Sequence, residues 1–255
     1  MEANMDNSLK AIAFYNDSHN TVYNENGVDS FELLPGVHPE VRAFKYIMKA
    51  GSSITPELYA DQSVLYLFSG KGQLVIKDEN SFYDVDGVAF YAPNYEKCKY
   101  TIFALSDTEF VQVLSHMDSH DMELKPRCSL MLPFFRTEEQ CEMYDQDCKS
   151  PGTISRTVLY GKFDRLGRLT CGICECDCGG GTVEKGHPAV HQWNYALHDA
   201  NYNMTVGSGD TMQKFSRKAG DWDFVPAGPD HSLTCLPGQK LHYVWVELNV
   251  NKRGQ

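Results

Sequence analysis

The chain has 255 residues, of which 42% are hydrophobic and 12% aromatic, and its formal net charge is −11. This composition excludes a disordered chain, and the length is sufficient for two domains with buried cores. The negative charge disfavours nucleic acid and anionic membrane surfaces as partners, because both attract clustered Lys and Arg. We therefore expect a folded protein whose main partner is a small molecule.

The N-terminal stretch "MEANMDNSLKAIAFYNDSHN" has acidic residues and no continuous apolar core. It predicts neither a secretory signal nor a transit peptide, and no apolar stretch of the sequence has membrane-spanning length. Nine cysteines leave at least one thiol unpaired in any intramolecular disulfide scheme. We expect a cytoplasmic protein with reduced thiols and no membrane association.

Short runs rich in Val, Ile, Tyr, Phe and Thr recur along the chain between Gly, Asn, Asp and Pro turns. The first half contains "FKYIMKAG", "VLYLFSGKGQLVIKD", "GVAFYAPN" and "EFVQVLS"; the second contains "TVLYGKF", "TCGICECDCGGG", "QWNYALHD", "YNMTVGSG", "GDWDFVPAG" and "KLHYVWVELNV". Such spacing predicts an all-β sandwich or barrel. Helical periodicity is weak and confined to "RTEEQCEMYDQDC", and no helix-turn-helix pattern indicates a transcriptional regulator.

The two sets of strands also repeat one another. "DGVAFYAPNYEKC" matches "AGDWDFVPAGPDH", and an alignment of the preceding strands places Tyr66 on Tyr195. This repeat predicts a duplicated β domain of ordinary size, with halves at 28–120 and 150–250. The segment "LMLPFFRTEEQ" lies in the linker between them.

The stretch "GDWDFVPAGPDH" resembles the second conserved motif of the cupin superfamily, G-x5-P-x-G-x2-H. Gly220, Pro226, Gly228 and His231 fill its four positions without a gap. The resemblance implies two tandem cupin barrels, each a double-stranded β-helix or jelly roll.

The stretch "GHPAVHQWNYAL" resembles the first cupin motif, which has the form H-x-H with a Glu or Gln a few residues on. His187 takes the place of the second histidine, and Lys185 stands where the first is usual. The carboxylate position is filled by Gln192 or, with spacing one residue shorter, by His191.

These polar residues are expected to converge at one end of a barrel, since a Gly-rich turn, the next strand and a neighbouring hairpin all reach that end. His187, His191 and His231 are then candidate ligands of one divalent metal, with Gln192 as a weaker fourth through its carbonyl oxygen. Such a site is compatible with Mn, Fe, Zn, Ni or Cu. The alternative is a turn cap, a strand-edge residue and a hydrogen-bonded histidine without metal.

At the same positions the first half has Leu58, Gln62, Ser63 and Cys98, and a single thiol does not hold a metal against competing ligands. We therefore expect a metal-free N-terminal barrel with a structural or dimerising role, and a homodimer. One silent and one active barrel is also the arrangement of the bicupins that include (S)-ureidoglycine aminohydrolase, a manganese enzyme of purine catabolism.

In that family the first motif reads E-x-H-x3-H, and "KGHPAVH" matches its H-x3-H part at His187 and His191. Lys185 stands in place of the glutamate, and Glu184 lies one residue early. The family's fourth ligand, a glutamine, is His231 here. The resemblance therefore implies the architecture and a single metal, while the ligand set and the substrate differ.

Two neighbouring residues are candidates for proton transfer. If Lys185 faces the metal cavity, desolvation and the nearby cation lower its pKa and make it a base or an imine-forming amine; otherwise it is a solvated loop lysine. Glu184 is either a ligand or general base, or an exposed loop carboxylate.

Strand parity selects the remaining candidates. Asn194 and Tyr195 lie on opposite faces of one strand, so only one of them faces the pocket. Tyr243, Trp245 and Glu247 share a face of the last strand. If that face is inward they line the cavity and Glu247 supplies an acid or base; if it is outward they form an interface or surface.

The run "CGICECDCGGG" places Cys174, Cys176 and Cys178 on one face of a strand and Cys171 on the other. Successive thiols on one face are roughly 7 Å apart, which is too far for chelation of one zinc ion. We expect buried reduced thiols on a core face; a redox or thiol-relay role is the alternative.

These features favour a metal-dependent bicupin enzyme that acts on a small polar organic acid, amide or sugar acid, as a hydrolase, lyase or isomerase. An Fe(II)-dependent dioxygenase is the second enzyme class. A non-catalytic small-ligand-binding bicupin is a third possibility, which the metal content distinguishes from the other two.

Overall fold

The computed structural model describes residues 19–159 and 166–250. These residues divide into two compact units, one formed by residues 19–141 with 166–167 and the other by 142–159 with 168–250. The N-terminal stretch considered for a targeting signal lies largely outside the described residues, as do the last four residues of the predicted strand "TVLYGKF".

The first unit consists of two antiparallel sheets. Its strands are β1 (His19–Glu25), β2 (Val28–Leu33), β3 (Val41–Met48), β4 (Ser53–Ile54), β5 (Gln62–Ser69), β6 (Leu74–Lys77), β7 (Phe82–Val85), β8 (Val88–Ala92), β9 (Thr101–Ala104), β10 (Thr108–His116) and β11 (Phe134–Thr137). The larger sheet has the order β1-β2-β3-β10-β5-β8-β11, and the smaller one β4-β9-β6-β7.

The second unit has the same construction. Its strands are β12 (Glu142–Tyr144), β13 (Ile154–Leu159), β14 (Leu169–Cys176), β15 (Gly180–Glu184), β16 (Val190–Ala196), β17 (Asn201–Val206), β18 (Gln213–Lys218), β19 (Trp222–Val225), β20 (His231–Cys235) and β21 (Leu241–Asn249). The sheets run β12-β13-β14-β21-β16-β19 and β15-β20-β17-β18.

The strand order of the first unit recurs in the second. The series β3-β10-β5-β8 corresponds to β14-β21-β16-β19, and β4-β9-β6-β7 corresponds to β15-β20-β17-β18. In each unit, two facing antiparallel sheets of this kind form a jelly-roll barrel. The prediction of an all-β chain with two tandem barrels is confirmed.

The helical prediction for the linker is wrong. Residues Glu138–Gln140 form only a short 3-10 helix, and strands β11 and β12 flank it. The α-helix of the described residues is instead α1 (Ser119–Leu124), where the Asp118 carboxylate accepts hydrogen bonds from two amides of the first turn. No helix within residues 19–159 and 166–250 is long and apolar enough to cross a membrane.

The sequence alignment of the two halves is out of register. The Tyr66 hydroxyl lies 2.7 Å from that of Tyr100, next to β9 of the facing sheet, so Tyr66 points into the first barrel. Ala196 belongs to the core of the second barrel, and its neighbour Tyr195 therefore points the opposite way. A shift by an odd number of residues exchanges the two faces of a strand. The first-half positions derived from that alignment carry the same error.

The interior of the first barrel is filled by aromatic rings. Tyr66 contacts the rings of Phe68, Tyr91 and Phe110 at centroid distances of 6.2, 6.2 and 5.8 Å. The Gln112 amide donates to the Tyr66 hydroxyl over 2.7 Å, so this buried phenol has polar partners. Large side chains therefore occupy the barrel interior at the level of Tyr66.

Candidate metal centre

Three potential metal ligands meet at one end of the second barrel. Glu184 is the last residue of β15, His187 lies in the following turn, and His231 is the first residue of β20. Glu184 and His231 are directly paired across the two strands. One ligand atom from each of the three residues lies within 4.8 Å of the others.

A close backbone approach holds the two ligand-bearing segments together. A Cβ atom at Gly186 would lie 1.6 Å from the Gly228 carbonyl oxygen, so only glycine allows this approach. The Gly186 amide donates to the Asp230 carboxylate at 3.0 Å, and the Gly228 amide donates to the His187 carbonyl at 3.0 Å. These contacts fix the turn that carries His187 against the loop before His231.

The His231 ring presents a nitrogen lone pair without a partner. Its Nδ1 lies 3.3 Å from the Pro229 carbonyl oxygen and therefore carries the proton, which leaves Nε2 as an acceptor. This Nε2 is buried and has no hydrogen-bond partner. Burial lowers the pKa of His231, and the attraction of the Glu184 carboxylate offsets this only in part, so the imidazole is neutral at pH 7. A neutral imidazole held through its other nitrogen is the state that binds a metal.

Glu184 and His187 interact directly, with 2.8 Å between Oε2 and Nε2. Burial opposes ionisation of the Glu184 carboxyl, but the hydrogen bond from His187 and the neighbouring imidazoles lower its pKa. The same hydrogen bond raises the pKa of His187. The His187 and His231 ring centroids are 5.2 Å apart. The centre thus combines an ionised carboxylate with two imidazoles.

This donor set fits a divalent transition metal. Two histidines and one carboxylate form the facial triad of many non-haem Fe(II) sites, and the same donors bind Mn and Zn. Three protein ligands leave positions for water or substrate. The unpartnered Nε2 of His231 is the observation that favours a metal over a purely structural hydrogen-bonded cluster.

His191 is not part of this group, contrary to the expected convergence of three histidines. It lies on the opposite face of β16 from Gln192, which faces the cavity. Its Nδ1 accepts a hydrogen bond from the Ala227 amide at 3.1 Å, and its ring lies 5.7 Å from that of Phe224. Glu184 therefore occupies the place in the cluster that the sequence assigned to His191.

Lys185 does not face the cavity. Side chains alternate along β15 and into the turn, so Val183 and Lys185 point outward and are exposed, while Glu184 between them points inward. The expectation of a desolvated catalytic amine at Lys185 is wrong, and its alternative, a solvated lysine, is what the structure has.

A cavity of about 640 Å³ adjoins Glu184 and His187. Its lining residues come from β12 and the loop after it, β13, β14, the end of β15, the β15–β16 segment, β16 and β21: Glu142, Met143, Tyr144, Asp145, Gln146, Thr157, Cys174, Glu184, His187, Pro188, Ala189, Val190, Gln192, Trp245 and Glu247. This volume is within the range of small-molecule sites.

The face of the last strand, β21, that carries Tyr243, Trp245 and Glu247 points into the barrel, which is the first of the two predicted alternatives. Trp245 and Glu247 line the cavity, and the Glu247 carboxylate accepts a hydrogen bond from the Thr170 hydroxyl at 3.2 Å. Tyr243, on the same face, is buried deeper, with its hydroxyl 3.4 Å from that of Thr182, and burial raises its pKa. Glu247 thus lies at the cavity, whereas Tyr243 belongs to the core. Any catalytic role of either stays a prediction.

Tyr195 points away from the cavity, and Asn194 takes the inward face of β16. The Tyr195 ring lies 6.2 Å from that of Trp222. This geometry does not bring Tyr195 to the candidate metal ligands.

A chain of buried polar groups orients Gln192. Its amide donates to Asn194 at 2.9 Å, Asn194 donates to Asp223 at 2.7 Å, and the other Asp223 oxygen lies 3.1 Å from Arg217 Nε. None of the four residues is more than 3% exposed. Because the Gln192 nitrogen is engaged, its carbonyl oxygen is the atom available as a weak ligand or substrate contact. Sequence analysis did not identify Asn194, Asp223 and Arg217 as a network.

The linker forms one wall of the cavity, which the sequence did not indicate. Lys149 Nζ donates to the Tyr144 carbonyl at 2.7 Å, and Gln146 donates to the Tyr144 hydroxyl. Cys148 donates to the Gln146 amide oxygen at 2.9 Å. These local bonds hold residues 142–146 in place beside the strands.

Comparison with known proteins gives matches only at the level of structure. No family model matches the sequence, and no curated protein sequence matches it. A point variant of Bacillus subtilis oxalate decarboxylase is similar with a TM-score of 0.67 and 16% identity, over 94% of this chain and 78% of that one. Lactobacillus farciminis oxalate decarboxylase in complex with formate is similar with a TM-score of 0.67 and 14% identity, over 94% of this chain and 86% of that one. A Bacillus subtilis oxalate decarboxylase studied for its Mn(II) centres is similar with a TM-score of 0.66 and 15% identity, over 94% of this chain and 78% of that one.

At this level of identity the matches show the fold and leave the reaction open. The strand order of both units and these similarities agree with the sequence motif at Gly220, Pro226, Gly228 and His231. The chain therefore has the bicupin fold, with each of its two units built as a cupin barrel.

Proposed function

We propose that this chain is a metal-dependent enzyme that acts on a small organic acid, with Glu184, His187 and His231 as the metal ligands. The observation that carries the proposal is the buried, unpartnered Nε2 of His231, in a ligand group that borders a cavity of about 640 Å³. Structural similarity to enzymes named oxalate decarboxylases, one of them described with Mn(II) centres, supports a lyase and manganese.

The charge of the cavity restricts the substrate. Glu142 and Asp145 are exposed on the linker wall, Glu184 and Glu247 lie on the barrel side, and no lysine or arginine occurs among the described lining residues. Such a cavity disfavours a dianion, since His187 is neutral when it binds the metal and the nearby Lys149 is paired with Asp145 at 3.2 Å, so the carboxylates are opposed mainly by the metal. The best substrate therefore has one carboxylate or amide group for the metal, and its remainder is neutral or cationic.

The metal, when bound, acts as a Lewis acid that polarises a substrate oxygen. In this proposal Glu247 takes a proton from the substrate or returns one through a carboxylate oxygen, and the hydrogen bond from the Thr170 hydroxyl supports it by orienting that carboxylate. Gln192 orients the substrate through its amide oxygen, and Trp245 excludes water from one wall. General acid–base catalysis of this kind contributes about 10²–10⁴-fold in rate.

A lyase reaction, decarboxylation or elimination, is the first choice; hydrolysis and isomerisation use the same groups. A second candidate, an Fe(II)-dependent dioxygenase, is supported by the donor set itself. Two imidazoles and one carboxylate are the facial triad of that class.

The test is turnover of a panel of small mono- and dicarboxylic acids and amides by protein loaded with Mn(II) or Fe(II), with and without O2. We expect oxygen-independent turnover of a monocarboxylate or amide with Mn(II), and a loss of at least 100-fold in kcat for Glu247→Gln. The matched control is Glu142→Gln, an exposed lining carboxylate, which should stay within a few-fold of wild type. Turnover that requires both Fe(II) and O2 supports the dioxygenase instead, and binding without turnover under all conditions contradicts the enzyme proposal.

A further inference from the structure

Two cysteines at the end of β14 have their sulfur atoms side by side. The Sγ atoms of Cys176 and Cys178 are 3.7 Å apart and are not bonded to each other. Cys176 is the last residue of β14, so Cys178 lies beyond the strand, and the alternation that would separate the two side chains along a strand no longer applies. A disulfide bond has a length of roughly 2.05 Å, so bond formation requires an approach of roughly 1.7 Å.

The surroundings give the two thiols different access to solvent. Cys176 is 3% exposed and belongs to the barrel core, whereas Cys178 is exposed. The Cys178 sulfur lies over the turn at Gly152, where an added Cβ would be 2.5 Å from it, and it is 3.8 Å from the Pro151 carbonyl oxygen. Cys178 therefore meets a reagent in solvent, and Cys176 is held directly behind it.

The backbone around the pair accommodates movement of Cys178. The next residue, Gly179, has a φ of +86°, a conformation that glycine adopts without strain. The Cys178 side chain is exposed and its closest described contacts are the pair partner and the Pro151–Gly152 turn. A rotation of this side chain toward Cys176 leaves the packed core unchanged.

Cys176 has the groups needed to stabilise its thiolate. Burial opposes the charge, but hydrogen bonding, first of all from the Cys178 amide, lowers the pKa of Cys176, whereas the hydrogen bond with Cys176 raises the pKa of Cys178. The geometry, with Cys178 exposed and Cys176 behind it, therefore decides which thiol meets the reagent first. The thiolate is the reactive form in thiol–disulfide exchange. By contrast, burial raises the pKa of Cys174, two residues earlier on β14, to about 11.

We propose that Cys176 and Cys178 form a redox-active dithiol that closes reversibly to a disulfide with small-molecule disulfides, Cys178 being the entry thiol and Cys176 the resolving thiol. The exposed Cys178 thiol loses its proton to solvent, attacks one sulfur of the disulfide RSSR, forms a mixed disulfide and releases RS⁻. Cys176 then attacks the Cys178 sulfur and expels the second RS⁻. Two protein thiols are oxidised by two electrons, and their two protons leave with the two RSH molecules formed.

This site is separate from the candidate metal ligands and does not depend on the proposed enzymatic function. The proposed redox role is limited to these two cysteines and does not extend to the other cysteines of β14. Cys171, Cys174 and Cys176 are buried, as the sequence predicted, whereas the same prediction is wrong for Cys178, which lies beyond the strand and is exposed.

The test uses the full-length protein with oxidised glutathione as the probe, followed by alkylation under denaturing conditions and peptide mass analysis. In wild type we expect the loss of two alkylatable thiols per chain, located to a Cys176–Cys178 disulfide, with recovery of both after dithiothreitol. In Cys176→Ser we expect a mixed disulfide that persists at Cys178, and in Cys178→Ser no loss of thiols at this site.

The matched control is Cys98→Ser, a half-buried cysteine of the first unit, which should leave disulfide formation unchanged. Cys176 is buried, and its replacement can disturb folding. If Cys176→Ser unfolds, the proposal is tested by the exposed Cys178→Ser variant, which should lose no thiols at this site. Persistence of the mixed disulfide at Cys178 in wild type, no reaction at Cys178, or a disulfide from Cys178 to any other cysteine contradicts the proposal.

Discussion

The buried polar chain behind the cavity gives a sharp prediction for Asp223→Ala. Asp223 is 0% exposed and Arg217 is 2% exposed, with 3.1 Å between a carboxylate oxygen and Arg217 Nε. Burial raises the pKa of the Asp223 carboxyl against the attraction of Arg217, a sign that desolvation of this pair is costly. Removal of the Asp223 carboxylate then takes one of two nearby negative charges, Asp221 and Asp223, from a buried guanidinium.

The magnitude follows from the contacts that are lost. Removing one partner of a buried ion pair costs about 3–5 kcal/mol, and the Asn194 amide, which donates to Asp223 at 2.7 Å, loses its acceptor at a further cost of about 1–3 kcal/mol. Asp221 remains 3.4 Å from another Arg217 nitrogen and offsets part of this loss. We therefore expect Asp223→Ala to lower the free energy of unfolding by about 3–4 kcal/mol.

Urea denaturation followed by tryptophan fluorescence is the assay. All three tryptophans of the chain, Trp193, Trp222 and Trp245, belong to the second unit, so the signal reports on that barrel. The double variant Arg217→Ala/Asp223→Ala should cost at least about 1 kcal/mol less than the sum of the single variants, because the paired charges of Asp223 and Arg217 are removed together, while buried Asp221 still loses its contact with Arg217. The exposed control Asp177→Ala should change stability by less than about 0.5 kcal/mol. Additive costs, or a loss below about 1 kcal/mol for Asp223→Ala, would refute the ion-pair explanation.

Three further predictions concern the second barrel. Gly186→Ala should reduce bound metal at least tenfold in elemental analysis, because its Cβ would lie 1.6 Å from the Gly228 oxygen, whereas Gly87→Ala, which meets nothing within 4 Å, should keep it. Lys185→Ala should retain wild-type metal content and melting temperature, since the side chain is exposed; a loss of metal would contradict its placement. Burial opposes ionisation of Asp199, but His242 and Lys240 lower its pKa, so its contribution is present above about pH 4 and is lost on acidification. Asp199→Asn should therefore lower the free energy of unfolding by about 1 kcal/mol at pH 7. It should also reduce the loss of this free energy between about pH 5 and pH 2, and urea titrations that show the same loss in variant and wild type would count against it.

Much of the fold could be predicted from local patterns. The β-branched and aromatic runs that became β3, β5, β10 and β21 have the composition of buried strands. The repeat of these runs indicated the duplication. The linker could not be predicted in the same way, because β11 and β12 have only four and three residues, and pairing with neighbouring strands decides their conformation.

The candidate site was predicted in part, and its errors arise from strand parity. His231 follows from an ungapped motif, and His187 from its Gly-rich turn. The choice between Glu184 and Lys185, and between His191 and Gln192, depends on which of two adjacent residues faces inward, and a one-residue shift reverses both choices. The pairing of Glu184 with His231 decides the first choice, and this is a tertiary contact that no local pattern contains.

The cavity wall contributed by residues 142–146 had no sequence signal at all. These residues lie about forty positions before Glu184 and reach the cavity only because β12 joins the edge of the sheet beside β13. Cavity walls assembled from distant segments depend on the complete fold, whereas a ligand motif depends on a turn and two strands.

The most direct test of the account is the metal content of four proteins: wild type, His231→Ala, His191→Ala and Glu184→Gln. Each is purified without added metal, reloaded with Mn(II), freed of unbound ions and measured by elemental analysis. We predict about one ion per chain in wild type and in His191→Ala, and at least a tenfold reduction in His231→Ala and Glu184→Gln, with all four proteins folded by circular dichroism. A wild-type content far below one ion after reloading, or full retention of metal by His231→Ala, would contradict the assignment of Glu184, His187 and His231 as a metal centre.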